Sequence, residues 1–233
     1  MWKKQDSNRK KNYFPHSLGI FYHAMTQFLG YKKYGDEYKI MGLAAYGNPI
    51  YFDKILTNLF KTDEKIISLN LEYFNHHKQN FKYIANENLS IDNIFNNNLL
   101  KLFSKEMEEE NFQKNFSSSV QKIYEYFFKN IIKEIIDKNY SKNIVYSGGC
   151  ALNSSANKFL TNKDSFFNKI FINCAPGDNG GALGAAFVVA ANYGLELGNI
   201  KSPYLGKKFS DKRIKEILEN EQYKKTLIYD HLK

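Results

Sequence analysis

Cysteine is nearly absent from this chain: only Cys150 and Cys174 occur among 233 residues. That excludes a disulfide-stapled scaffold, and neither thiol has a second Cys or His at the spacing of a zinc pair. Long apolar runs are missing as well. Nothing approaches the roughly 20 consecutive apolar residues of a membrane span, and the opening MWKKQDSNRKKNYF is basic without the apolar segment of a signal peptide. The resulting expectation is a cytoplasmic protein with reduced thiols and no membrane partner. Arginine is scarce too. Arg9 and Arg213 are the only arginines among 33 basic residues, so the formal charge of +9 comes almost entirely from lysine. Bidentate readers of phosphate and bases are usually arginine. The lysines are spread evenly beside heavy asparagine use, as in Phe95-Asn96-Asn97-Asn98. This is a compositional habit, and no nucleic-acid partner is expected.

What the chain does have is apolar and aromatic content, 43% and 16%, enough for a sizeable core. Residues 1–13 read as a loose lead-in. Pro15 stops any preceding element and Ser17 can cap a helix carrying Leu18, Phe21, Tyr22, Met25 and Phe28, closed by Gly30. His16 and His23 lie seven apart without a carboxylate at ligand spacing, and the adjacent His76 and His77 point in different directions. Neither pair makes a metal site. A short helix is expected from Pro49, a strand over IISLNLEYF, and a helix from about Leu99 to Glu110. The stretch after IISLNLEYF has no clear period. Phe112 to Lys138 is the longest helical signal. Its stripe of Phe116, Val120, Ile123, Phe127, Ile131 and Ile135 is wide enough for packing under a sheet, while Ser117–Ser119 have no evident purpose there.

The most informative stretch is 143–190. A short strand (Ile144, Val145, Tyr146) ends in Ser147-Gly148-Gly149, and a helix opens near Asn153. A second strand, Lys169 to Asn173, leads to a second glycine turn around Asp178 and a helix of small residues. Two strand–glycine–helix units suit a nucleotide at the ends of parallel strands, because glycines admit a close phosphate or ribose and helix N-termini face it with free N–H groups. Read singly, each is equally an ordinary turn, and Asp178 a helix N-cap. Upstream, glycines bracket Asp36-Glu37-Tyr38-Lys39. Glu37 and Lys39 could bond ribose hydroxyls and offset phosphate charge, or form an exposed ion pair worth little. Ser210 can cap a last amphipathic helix, DKRIKEILEN, and YKKTLIYDHL could start a strand.

FPHSLGIFYHAMTQFLG, GDEYKIMGLAAYG, SGGCALNSSANKFL, PGDNGGALGAA and SPYLGKKFS occur in the order seen in the O-carbamoyltransferase family of nodulation proteins and antibiotic-modifying enzymes. The chain resembles that family over residues 14 to about 220. The resemblance implies an α/β fold: a partial actin-like (ASKHA, ribonuclease-H-like) domain with a mostly parallel sheet packed by long helices. Residues 14–200 would be the C-terminal half of this domain, and 201–233 a linker and the start of an acyl-adenylate-forming domain. The implied activity uses ATP and carbamoyl phosphate to form carbamoyl-adenylate, then moves the carbamoyl group to a hydroxyl of a sugar or natural product. The implied cofactor-binding residues are Gly148, Gly149 and Asn153 (adenosine turn), Gly177 and Gly180, and Glu37 and Lys39. The implied ligand of a divalent metal, iron or magnesium in class, is Asp178. The family's phosphate-binding hairpin and its His-x-x-x-His metal motif have no counterpart here. The expectation is therefore a portion inactive alone, with the missing half-domain supplied by another chain as an alternative, and a non-catalytic scaffold as a third.

Overall fold

In a computed structural model the described residues are 13–61, 67–78, 83–85, 89–161, 166–196, 198, 204 and 206–219. The elements are α1 (Leu18–Phe28), α2 (Glu37–Leu43), α3 (Phe52–Leu59), β1 (Tyr83–Ala85), β2 (Leu89–Ile91), α4 (Asn97–Leu102) and α5 (Phe112–Asp137), followed by β3 (Asn143–Tyr146), α6 (Ser154–Asn157), β4 (Lys169–Ile172), α7 (Gly180–Asn192) and α8 (Asp211–Glu219). The chain divides into two compact units, Met1–Gly184 and Ala185–Lys233.

In the first unit, α5 is the axis. Phe116, Val120 and Ile123 are fully buried, and Tyr124, Phe127, Phe128 and Ile132 nearly so. Each such side chain contributes roughly 1.5–3 kcal/mol relative to leaving it exposed. Phe28, from α1, sits at the centre of an aromatic cluster with Phe95, Phe103, Phe112 and Phe116, at centroid distances of 5.0–6.3 Å. Ser17 caps α1 by accepting from the Ile20 N–H. One of the serines inside α5 acquires a purpose here. Ser119 Oγ donates to the Asn115 carbonyl and accepts from the Tyr51 N–H at 3.0 Å, tying the start of α3 to α5.

β3 and β4 pair in parallel, with Ile144 opposite Ile170 and Tyr146 opposite Ile172. One face (Ile144, Tyr146, Ile170, Ile172) packs on the core. The other leaves Val145 74% and Phe171 58% exposed. β1 and β2 form an antiparallel pair. The α/β class and the helix under a sheet are thus present, but among the described residues the sheets are one parallel and one antiparallel pair, not one mostly parallel sheet.

Three local expectations differ. The helix expected from Pro49 begins at Phe52, because the Phe52 N–H closes a turn onto the Pro49 carbonyl and the Tyr51 N–H is taken by Ser119. IISLNLEYF is not a continuous strand. Leu69 bridges Phe60, a 3-10 turn over Leu71–Tyr73 follows the Asn70 cap, and Phe74 bridges Phe95. The helix expected over 99–110 starts earlier, capped by Asn96, and ends at Leu102, where fully buried Phe103 is drawn into the aromatic cluster. A 3-10 turn over Glu106–Glu108 then leads to α5. In the second unit, Ser210 caps α8 by accepting from the Arg213 N–H at 3.2 Å. The lead-in up to residue 12 and the strand over YKKTLIYDHL lie outside the described residues.

Candidate functional site

The two glycine turns meet side by side. Gly148 holds φ 101°, ψ 164°, a conformation open to glycine and strained for any L side chain. With its backbone so placed, the Gly148 N–H donates to the Pro176 carbonyl at 2.7 Å, joining the end of β3 to the turn after β4. A 3-10 turn over Gly149–Leu152 follows, and Asn153 caps α6. In the second turn the Gly180 N–H donates to Gly177 and the Gly181 N–H to the Asp178 carbonyl, both at 3.0 Å, opening α7.

Between the first of these turns and α1 and α2 lies a cleft of about 640 Å³. The helical wall contributes Ser17, Gly19, Tyr22, Tyr34, Glu37 and Met41, and the opposite wall Tyr124, Gly149, Cys150, Leu152 and Asn153. Gly19 faces Cys150, and a Cβ there would lie 3.5 Å from its Sγ, an ordinary contact. Burial pushes the Cys150 thiol pKa up and keeps it protonated. Burial likewise raises Tyr22 and Tyr124, and pushes Tyr146 up to about 12. These phenols act as neutral hydrogen-bonding groups. The cleft therefore has flat aromatic and thioether walls with a few polar groups, a chemistry suited to a planar heterocycle with hydroxyls attached.

Of the expected site residues, Gly149, Asn153 and Glu37 line this cleft, and Gly148 anchors the turn behind it. Glu37 is drawn inward to buried His23, its Oε1 lying 2.5 Å from Nδ1. Burial pushes the Glu37 carboxyl up, but the hydrogen bond from His23, the residue's own N–H and the His23 charge outweigh it, leaving the carboxyl below its ordinary value. Asp178 is not in the lining but is tied to it by Tyr34, whose hydroxyl donates to Oδ2 at 3.1 Å. Gly177 and Gly180 shape that turn. Lys39 is not part of the wall: it pairs with Asp36 at 2.7 Å and lies 5.1 Å from the Tyr31 ring centroid.

A divalent metal does not fit this donor set by itself. Among the described residues no three His, Cys, Asp or Glu side chains gather as ligands. His16 accepts from the Leu69 N–H and His76 bonds the Pro15 carbonyl, so neither is directed at Asp178. Tyr22, Tyr34, Tyr124 and Gln121 were missed in the sequence. The tyrosines fall within helical stripes or beside a glycine, and only the fold turns them toward one space.

The ordered motifs agree with the family comparison. Residues 1–187 match the family described as carbamoyltransferase N-terminus. The chain belongs to this family. It is 33% identical over 89% of its length to an uncharacterised protein of Synechocystis sp., and 25% over 93% to one of Methanocaldococcus jannaschii. It is 30% identical over 76% of its length to nodulation protein NolNO of Sinorhizobium fredii. The chain spans about a third of the length of the first two relatives, 34% and 33%, and 23% of NolNO. The family match begins at residue 1 and includes the 1–13 stretch. No described helix is long and apolar enough to cross a membrane.

Proposed function

We infer that this carbamoyltransferase-family chain supplies one wall of an ATP site in an O-carbamoyltransferase, within an actin/hexokinase-like domain. The observation that carries this is the junction of the two glycine turns through Gly148 and Pro176, facing Glu37 across an aromatic cleft. Gly148, Gly149 and Asn153 form the adenosine turn, and Glu37 accepts from ribose hydroxyls with the oxygen that His23 leaves free. Gly177 to Gly180 approach the phosphates, and Asp178 offers one carboxylate toward a metal whose remaining ligands come from elsewhere. Lys39 acts from outside the wall, as charge near the phosphates. The reaction served is transfer from carbamoyl phosphate, through carbamoyl-adenylate, to a hydroxyl of a sugar or natural product.

A second reading, a chain that docks with a complementary half-domain, is favoured by one observation: the exposed Val145–Phe171 pair on the outer face of β3–β4. Both readings give the 233-residue chain ATP binding without transfer when assayed alone with carbamoyl phosphate, ATP and a sugar acceptor. Turnover by the purified chain that disappears in Asp178→Ala would contradict this.

A further inference from the structure

Asn153 lines the cleft, yet its side-chain oxygen and one of its two amide hydrogens are committed to the protein. Its Oδ1 accepts from the Ala156 N–H at 3.0 Å and from Gln121 Nε2 at 3.1 Å, while its Nδ2 donates to Gln121 Oε1 at 3.0 Å. Gln121, on α5, is 6% exposed and Asn153 8%. Gln121 has two further bonds, accepting from the Tyr22 hydroxyl at 2.9 Å and donating to Glu125 Oε1 at 3.1 Å. One buried amide therefore joins α1, α5 and the glycine turn, and every polar atom in the pair has at least one partner. Such a closed network fixes geometry, because losing any member leaves a buried group unpaired.

We propose that Gln121 is a positioning residue that holds the glycine turn in its ligand-ready place, and that Asn153 acts through this amide pair and not by touching the nucleotide. The inference rests on the nucleotide reading for its functional consequence, but the clamp itself can be tested without it.

Gln121→Glu isolates the donor. In this variant one carboxyl oxygen still accepts from Tyr22 and Asn153, and the other faces two acceptors, Asn153 Oδ1 and Glu125 Oε1. Protonated, that oxygen donates its one hydrogen to Asn153 Oδ1 and remakes the bond to the turn, giving up the one to Glu125; ionised, it repels both. The titratable groups around position 121 are Tyr22 of α1, Glu125 on α5 itself, Lys158 after α6 (3.7 Å from Glu125), Lys122 next to position 121 in α5, and Glu37, whose charge reaches Tyr22. Burial and Glu125 place the new carboxyl's titration above the ordinary carboxylate range of about 4.3.

The experiment is amide hydrogen exchange, read as protection factors for the Gly148, Ala151 and Ala156 N–H groups, with ATP affinity measured in parallel. Wild-type protection of the turn, taken relative to the α5 core amides at the same pH so that any global acid weakening cancels, is expected to be flat between about pH 5 and pH 8. Gln121→Glu should match it at the lower pH and fall about tenfold at the higher, with ATP affinity following. Gln121→Met should lose protection at both. Unchanged turn protection in Gln121→Glu at high pH overturns the proposal, as does a fall shared in equal measure by the α1 amides, which would make Gln121 merely structural. If the wild type binds no ATP, the nucleotide reading fails while the exchange result still decides this one.

Discussion

Replacing Gly148 by alanine tests whether the junction of the two turns depends on backbone conformation. A Cβ at this position meets nothing within 4 Å, so steric overlap plays no part. The penalty comes from φ 101° and ψ 164° alone, a region that costs a non-glycine residue about 1–3 kcal/mol. Alanine returns about 0.4–1 kcal/mol by restricting the unfolded chain. The net expectation is a loss of about 1–2 kcal/mol, or a Tm lower by roughly 2–8 °C for a chain this size. Gly149→Ala is the matched control. Its Cβ also meets nothing and its φ is not positive, so stability should hold or rise slightly. The assay is urea denaturation followed by circular dichroism, with unchanged slopes showing that stability alone has moved. Equal midpoints for the two variants would refute the argument.

Gly47→Ala should be more damaging for a different reason: its Cβ would collide with the Lys114 carbonyl, and the α5 backbone cannot yield. A loss of about 3 kcal/mol and a Tm drop of roughly 6–12 °C are expected by thermal denaturation. Acid should weaken the fold through His76 and His77, whose pKa values are lowered chiefly by burial. The neutral rings are favoured in the fold. Their contribution is complete above the unfolded histidine pKa of about 6.5 and is lost as pH falls through the lower folded values, at no more than about 1.4 kcal/mol per pH unit for each. His76→Gln, which keeps a donor for the Pro15 carbonyl, should flatten denaturation midpoints measured between about pH 7 and pH 5.

Elements with long, regular patterns were legible in advance. The stripe of α5, the Ser17 and Ser210 caps and both strand–glycine units appear where their residues placed them. IISLNLEYF was not legible, because its alternation reflects two separate bridges, Phe60 to Leu69 and Phe74 to Phe95, flanking a 3-10 turn. Local pattern cannot distinguish that from one strand. The end of α4 was missed for a tertiary reason, the capture of Phe103 by Phe28 and Phe116. The two glycine turns could be read because each is local. The Tyr34–Asp178 bond spans 144 residues and the Gln121–Asn153 pair 32, and no spacing rule reaches that far. Glu37 and Lys39 lie two apart in one motif yet part in the fold, one to His23 and the other to Asp36.

An ATP titration followed amide by amide tests the central claim most directly. Saturable shifts centred on Gly148, Gly149, Ala151 and Asp178, with smaller ones at Tyr22, Tyr34 and Glu37, are the expected result, and Gly149→Leu, which fills the cleft, should abolish them. Saturating ATP that moves none of these amides, or shifts that persist unchanged in Gly149→Leu, would contradict the assignment of this cleft as a nucleotide site.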